Sequence, residues 1–363
     1  MKTETVLTRE VDALANVHWH GREVGEVMKG LIREAIRGGA DVLGPQPNTE
    51  KSLITATQVL EYVGSAKAYC LPSPDTRLTF LPFVMLTEET TREELVNCKI
   101  AGISDGKIYS RLRTTKSANG VRHYGRILPV VRWCGEIGIR VHNHFEHPNM
   151  IHGNRDAEYL CLAVAEMFLE ETGAVIFWEH TSDARCIPAW KYFAGKYPGR
   201  FFVTVTAHHL AWNEDQAFGN VRLICKPPLK TERDRLALVQ LVCDGHPWVM
   251  AGADDAAHDV NAKHVHDGKC ACGAFTTPFL HQIYAHALSK LLETAGGTRT
   301  YINFTSRNAR KIHGLPPASR VIALVNKPFR IPPSCQIGPW TVESAGAGET
   351  IDWSMVPEKP AAS

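Results

Sequence analysis

Residues 16–48 read "NVHWHGREVGEVMKGLIREAIRGGADVLGPQPN". The stretch opens on a short β-type run, passes through a helical segment ending in paired glycines, and returns to a second apolar run closed by a polar cluster. A helix that stops on glycine and feeds a β-branched run is the repeating unit of a parallel sheet. In an extended strand, residues i, i+2 and i+4 share a face, so His18, His20 and Arg22 point the same way. Neutral imidazoles at that spacing can grip one metal ion, and a neighbouring arginine suits a carboxylate or a phosphate.

Working outward, the same alternation continues along the chain. After "NVHWHG" and "ADVLGPQPN", further β-type runs fall at "TRLTFLPFVML", "SDGKIYS", "IRVHNHF", "AVIFWEHTS", "FFVTVTAHHL" and "WVMAGADD", separated by helical segments. "VRLICKPPL" is an extra excursion before the last of them. Eight such units predict an α/β fold of the (β/α)8 TIM-barrel type. A doubly wound open sheet is the rival, but no glycine-rich phosphate fingerprint follows the first run. The reading predicts a single barrel domain over residues 1–350 and a partly disordered tail over 351–363, where "VPEKPAAS" closes the chain.

The formal net charge of +2 excludes a general nucleic-acid or membrane-surface binder. No apolar run reaches the length of a membrane span, and "MKTETVLTREVDAL" lacks the apolar centre of a secretion signal, so a cytoplasmic protein is expected. The ten cysteines are scattered, most within apolar runs such as "YLCLAVAEMF", which is core usage in a reducing compartment. Cys270 and Cys272 lack a second pair with which to build a soft-metal site. Histidine stands out, with seventeen in the chain, several at the ends of β-type runs.

Polar residues cluster where the runs end, which is where a barrel keeps its active site. The first run offers His18, His20 and Arg22, the second Asn48, the fourth Lys107, the fifth His142, the sixth His180, and the eighth Asp254 with His258 just after. The list resembles the binuclear-metal pattern of the amidohydrolase superfamily, in which two divalent ions need a bridging anionic ligand. A lysine buried in an apolar strand has a lowered pKa, and its neutral amine can add CO2 to become a carbamate that bridges as a carboxylate would. Two ions lower the pKa of a water between them, and an aspartate can both ligate and move its proton. Imidazole and carboxylate ligands suit Zn2+.

The order HxH, Lys, His, His, Asp carries that resemblance. Closer still, "HWHGR", "PNT", "GKIYSRLRTTKSANGV", "VIFWEHTSD", "TVTAHHL", "CKPPLK", "GADDAAH" and "AGETIDWS" resemble the shorter, bacterial-type dihydroorotases over nearly the whole chain. The resemblance implies a reversible, metal-dependent cyclisation of N-carbamoyl-L-aspartate to L-dihydroorotate in pyrimidine biosynthesis. It implies His18, His20, Lys107 (as its N6-carboxylated form), His142, His180 and Asp254 as ligands of two ions, with Asp254 also catalytic. Arg22, Asn48 and His258 are implied to bind the substrate carboxylate, and Thr114 and Thr115 to ride on a loop that closes over it. A homodimer is left open, and no nucleic-acid or membrane partner is implied. The alternatives are another cyclic-amide hydrolase of the hydantoinase or dihydropyrimidinase kind, and a non-catalytic scaffold for a carbamoyltransferase. The chain departs from the family at Gln46, where methionine is usual, and at Ala253 and Asp255 beside the aspartate. It departs again in "HFEHPNMIHG", whose His144, His147 and His152 are read as non-ligands, and in the shortened "CACGAFTTP".

Overall fold

The computed structural model describes residues 7–20, 25–70, 78–148, 155–264 and 270–356. After an edge strand β1 (Thr8–Asp12) come β2 (Val17–Trp19), β3 (Val42–Pro45), β4 (Thr79–Phe80), β5 (Phe83–Leu86), β6 (Asp105–Tyr109), β7 (Arg140–His144), β8 (Ile176–Trp178), β9 (Phe201–Val205) and β10 (Val249–Ala251). Strands β5 to β10 form a six-stranded sheet in sequential order, and β2 to β4 form a three-stranded one. Every pairing within both sheets is parallel.

The two sheets meet at two seams. The run "TFLPFVML" supplies both β4 and β5, broken at Leu81–Pro82, since proline brings no N–H to a ladder. On its near side the Leu81 N–H donates to the Leu43 carbonyl at 2.8 Å, while β5 pairs with β6. At the other seam, the His20 N–H donates to Asp255 O (3.0 Å) and the Asp255 N–H to His18 O (2.9 Å), tying β2 to the segment after β10. Rings from distant strands meet in the interior: His18 and Phe83 at 5.3 Å, Phe83 and His142 at 4.8 Å, His142 and Phe177 at 4.0 Å. The sheets therefore curve around a shared interior, floored by Ala15, Val42, Phe177, Phe202 and Met250.

The helices pack outside. Glu26–Arg37 buries Val27, Met28, Leu31, Ile32 and Ala35 at helical spacing. It stops at Gly38, where a Cβ would lie 1.8 Å from the Thr277 carbonyl oxygen, so only glycine fits the approach. Ala56–Ala68 starts on a capping box in which Thr55 and Gln58 each satisfy the other's backbone N–H. Tyr124–Ile137 ends on left-handed Gly138. Among the described residues no helix is long and apolar enough to cross a membrane.

Both chain ends build a feature the sequence reading missed. β1 pairs antiparallel with β11 (Val321–Val325), which pairs with Ser354–Val356. Residues 351–356, placed above in a partly disordered tail, carry a strand and bury Ile351 and Trp353. The Trp353 indole N–H donates to Ser289 Oγ at 3.0 Å.

Candidate metal centre

The site grows from the C-terminal ends of the parallel strands. Lys107 lies on the inward face of β6, in register with His142, and is 1% exposed. Burial lowers its amine below the usual lysine range, partly offset by the Glu179 and Asp254 charges. His18 is buried as well. Its Nδ1 lies 3.1 Å from Glu179 Oε2, and its Nε2 is buried with no hydrogen-bond partner. Burial lowers the His18 pKa, against the pull of Glu179. The remaining link is Thr204, whose hydroxyl donates to Glu179 Oε2 (2.7 Å) and accepts the His180 N–H (2.7 Å).

Nearer the rim, His20 Nε2 lies 3.0 Å from Asp254 Oδ1. His180 and Asp254 both sit on left-handed backbone, at φ 42° and 44°. Burial drives the His180 pKa well below the imidazole range. Burial acts to raise Asp254, but His180, His20 and Lys107 together hold its carboxyl well below the usual range.

The fifth run offers two histidines. His142 and His144 share the inward face of β7, and it is His144 that reaches the rim cluster, its Nδ1 3.0 Å from His180 Nε2. His142 lies one pleat deeper. Its Nδ1 contacts Glu179 Oε1 and its Nε2 lies 2.9 Å from Asp105 Oδ1, so neither nitrogen faces the rim. The same geometry makes His144 a second candidate beside His142, which itself lies close to His18 and Glu179. Alternation within "HNH" cannot separate the two histidines, because both point inward. The usable signal is Glu146, whose Oε2 sits 2.7 Å from His144 Nε2 and leaves Nδ1 as the lone pair facing His180.

These donors suit a divalent metal. His18 Nε2 is buried without a hydrogen-bond partner. Two ring nitrogens facing each other at 3.0 Å have roughly the spacing of two ligands on one ion with bonds of about 2.0–2.1 Å. Other donor clusters exist among the described residues, namely His208 with His209 and Cys225, and Asp105 with His142 and His313.

The expected substrate contacts form one network. The Tyr109 hydroxyl donates to Asn48 Oδ1 (2.9 Å), Asn48 Nδ2 donates to Thr115 O (2.9 Å), and the Thr115 hydroxyl donates to Cys272 O (3.2 Å). His258 Nε2 lies 2.9 Å from the same carbonyl. Thr114 and Thr115, with Lys226, Cys272 and Gly273, line a small cleft over His20 and Asp254. Arg22 and His152 lie outside the described residues. Asp255 turns away from the site. Its Oδ1 accepts the Thr276 and Thr277 N–H groups at 2.8 and 2.9 Å, and burial pushes its carboxyl up to about 6.

The fold is shared with solved dihydroorotase and hydantoinase structures. The structure of dihydroorotase in complex with 5-fluoroorotic acid from Saccharomyces cerevisiae superposes with a TM-score of 0.86 at 23% identity, covering 96% of this chain and 98% of that one. The L-hydantoinase (dihydropyrimidinase) of Arthrobacter aurescens gives 0.79 at 13% identity, covering 95% and 82%. By sequence the chain is similar to dihydroorotases: that of Helicobacter acinonychis is 29% identical over 362 residues, covering 97% of this chain and 98% of that protein. No family model matches the chain.

Proposed function

We propose that this chain is a dihydroorotase, interconverting N-carbamoyl-L-aspartate and L-dihydroorotate in de novo pyrimidine biosynthesis in the cytoplasm. The observation that carries this reading is the likeness to dihydroorotases across 97% of the chain. The two parallel sheets are taken as one eight-stranded barrel in a single domain, supported by the hydrogen bonds at both seams.

His18 and His20 are assigned to the more buried of two divalent ions, Zn2+ by ligand type, and His144 and His180 to the other. Lys107, as its carbamate, and Asp254 would complete the ligand set. The lowered amine pKa favours the neutral nitrogen that adds CO2, with loss of one proton. When bound, the metal pair supplies Lewis acidity toward the amide carbonyl and lowers the pKa of water. Everything else falls to the chain. In the hydrolytic direction Asp254 accepts the proton of the attacking water and returns it to the departing amide nitrogen. Arg22, Asn48 and His258 hold the substrate carboxylate, and the Thr114–Thr115 loop covers the site against solvent.

The test is substrate choice. The native enzyme should turn over dihydroorotate and carbamoyl-aspartate, and act poorly on dihydrouracil, which lacks the carboxylate. A bidentate arginine contact is not reproduced by lysine. Arg22→Lys should therefore raise KM for dihydroorotate by roughly tenfold to a hundredfold, the worth of about 1.5–3 kcal/mol in a charge-assisted hydrogen bond, with metal content unchanged. Preference for dihydrouracil or hydantoin over dihydroorotate would replace this reading with that of a hydantoinase-like enzyme.

A further inference from the structure

Below the rim cluster, a line of polar side chains runs through the interior. Arg140 grips Asp105 with both ends of its fork, Nε to Oδ1 at 2.7 Å and Nη2 to Oδ2 at 2.6 Å. Asp105 Oδ1 lies 2.9 Å from His142 Nε2 and 3.3 Å from His313 Nδ1. His142 Nδ1 contacts Glu179 Oε1, and Glu179 Oε2 reaches His18 Nδ1 at 3.1 Å. The His142 ring is held in plane, stacked on Phe177 at 4.0 Å and met edge-on by Phe83 at 4.8 Å. The side chains of Asp105, His142 and Glu179 are wholly buried.

Buried charges are costly, and apolar residues of similar volume often serve stability as well or better. A line of such groups, each fixed at both ends, is suited to setting geometry. Its last member contacts His18 Nδ1, and so leaves the lone pair on Nε2, which is buried without a hydrogen-bond partner. An outer partner of this kind fixes a ligand histidine's tautomer and orientation.

From this continuity we infer that Arg140, Asp105 and His142 form a positioning strut. It orients Glu179, and Glu179 in turn aims His18 Nε2 at the metal. The inference rests on the metal reading given under Proposed function. His142 is a positioning residue in this scheme, touching neither metal nor substrate.

The experiment measures Co2+ affinity of metal-stripped protein, by chelator competition in bicarbonate buffer, together with the visible Co2+ spectrum. Thermal unfolding of the metal-free protein is recorded beside it. His142→Phe keeps the ring stack and deletes both polar contacts. It should weaken the tighter Co2+ site 10- to 100-fold, the range seen when outer-shell partners are lost, and should alter the spectrum. His142→Gln, which can still donate to Glu179, should recover about tenfold of that. Asp105→Asn, which keeps the shape and weakens the grip on His142, should shift affinity in the same direction and decides the matter if the phenylalanine variant does not fold. Native affinity and spectrum in these variants, with only thermal stability reduced, overturn the strut and leave a packing role. If the native chain itself binds no divalent ion, the metal reading fails, and the strut fails with it.

Discussion

His180 and Asp254 hold left-handed backbone at φ 42° and 44°, a conformation that costs a non-glycine residue on the order of 1–3 kcal/mol and persists only where its surroundings enforce it. The Thr204 hydroxyl enforces it at His180 by accepting the backbone N–H. Asparagine tolerates this conformation well, so Asp254→Asn removes the proton acceptor at little structural cost. Circular dichroism and melting temperature should stay near native, while turnover in both directions falls by at least about 100-fold, the lower end of what a positioned acid–base group contributes. Near-native turnover would take Asp254 out of the proton-transfer role. At His144 the expected loss is of metal. His144→Ala should give protein that retains markedly less than the native complement of ions by elemental analysis, and a full complement would return the fifth-run assignment to an open question. The clustering of His18, His20, Lys107, His180 and Asp254 was legible from position, because a strand end collects polar groups, while their roles came from the family resemblance. The choice between His142 and His144 was not legible, since alternation gives direction and not depth. Glu179 was missed for a related reason: a carboxylate that touches a histidine from a strand over a hundred residues away leaves no local mark.

At the scale of elements, the βα units were readable because β-type runs alternate with helical segments, several of which stop on glycine. Thr55 with Gln58 and Thr231 with Asp234 form capping boxes that the sequence reading did not use. Thr55→Ala should lower stability by about 1 kcal/mol in chemical denaturation, with activity unchanged; an unaltered midpoint would show that the helix start is held by other contacts. The split of "TFLPFVML" between two sheets turns on one proline within an otherwise uniform run. The antiparallel sheet of β1, β11 and Ser354–Val356 escaped because its strands are short and its partners lie more than three hundred residues apart in the register Thr8↔Val325. The Thr114–Thr115 loop was legible as a motif, but its tie to Cys272 was not. Thr115→Val removes one hydroxyl donor worth about 1 kcal/mol, so KM for dihydroorotate should rise roughly fivefold while bound metal stays constant. Loss of metal in this variant would instead place the loop among the supports of the metal centre.

For the whole molecule, architecture narrows the chemistry without selecting it. The same fold serves dihydroorotase and hydantoinase among the solved structures, with TM-scores of 0.86 and 0.79, and function resides in the site placed upon a fold. What separates the two on this chain is the sequence likeness to dihydroorotases over 97% of it. The central claim is that dihydroorotate turnover depends on a metal pair held by these side chains. The most direct measurement strips the protein with chelator and titrates Zn2+ back in bicarbonate buffer, following bound metal and dihydroorotate hydrolysis together. The account predicts an inactive stripped protein whose turnover returns as occupancy climbs toward two ions per chain. Full turnover by the metal-free protein, or none at full occupancy, would contradict it.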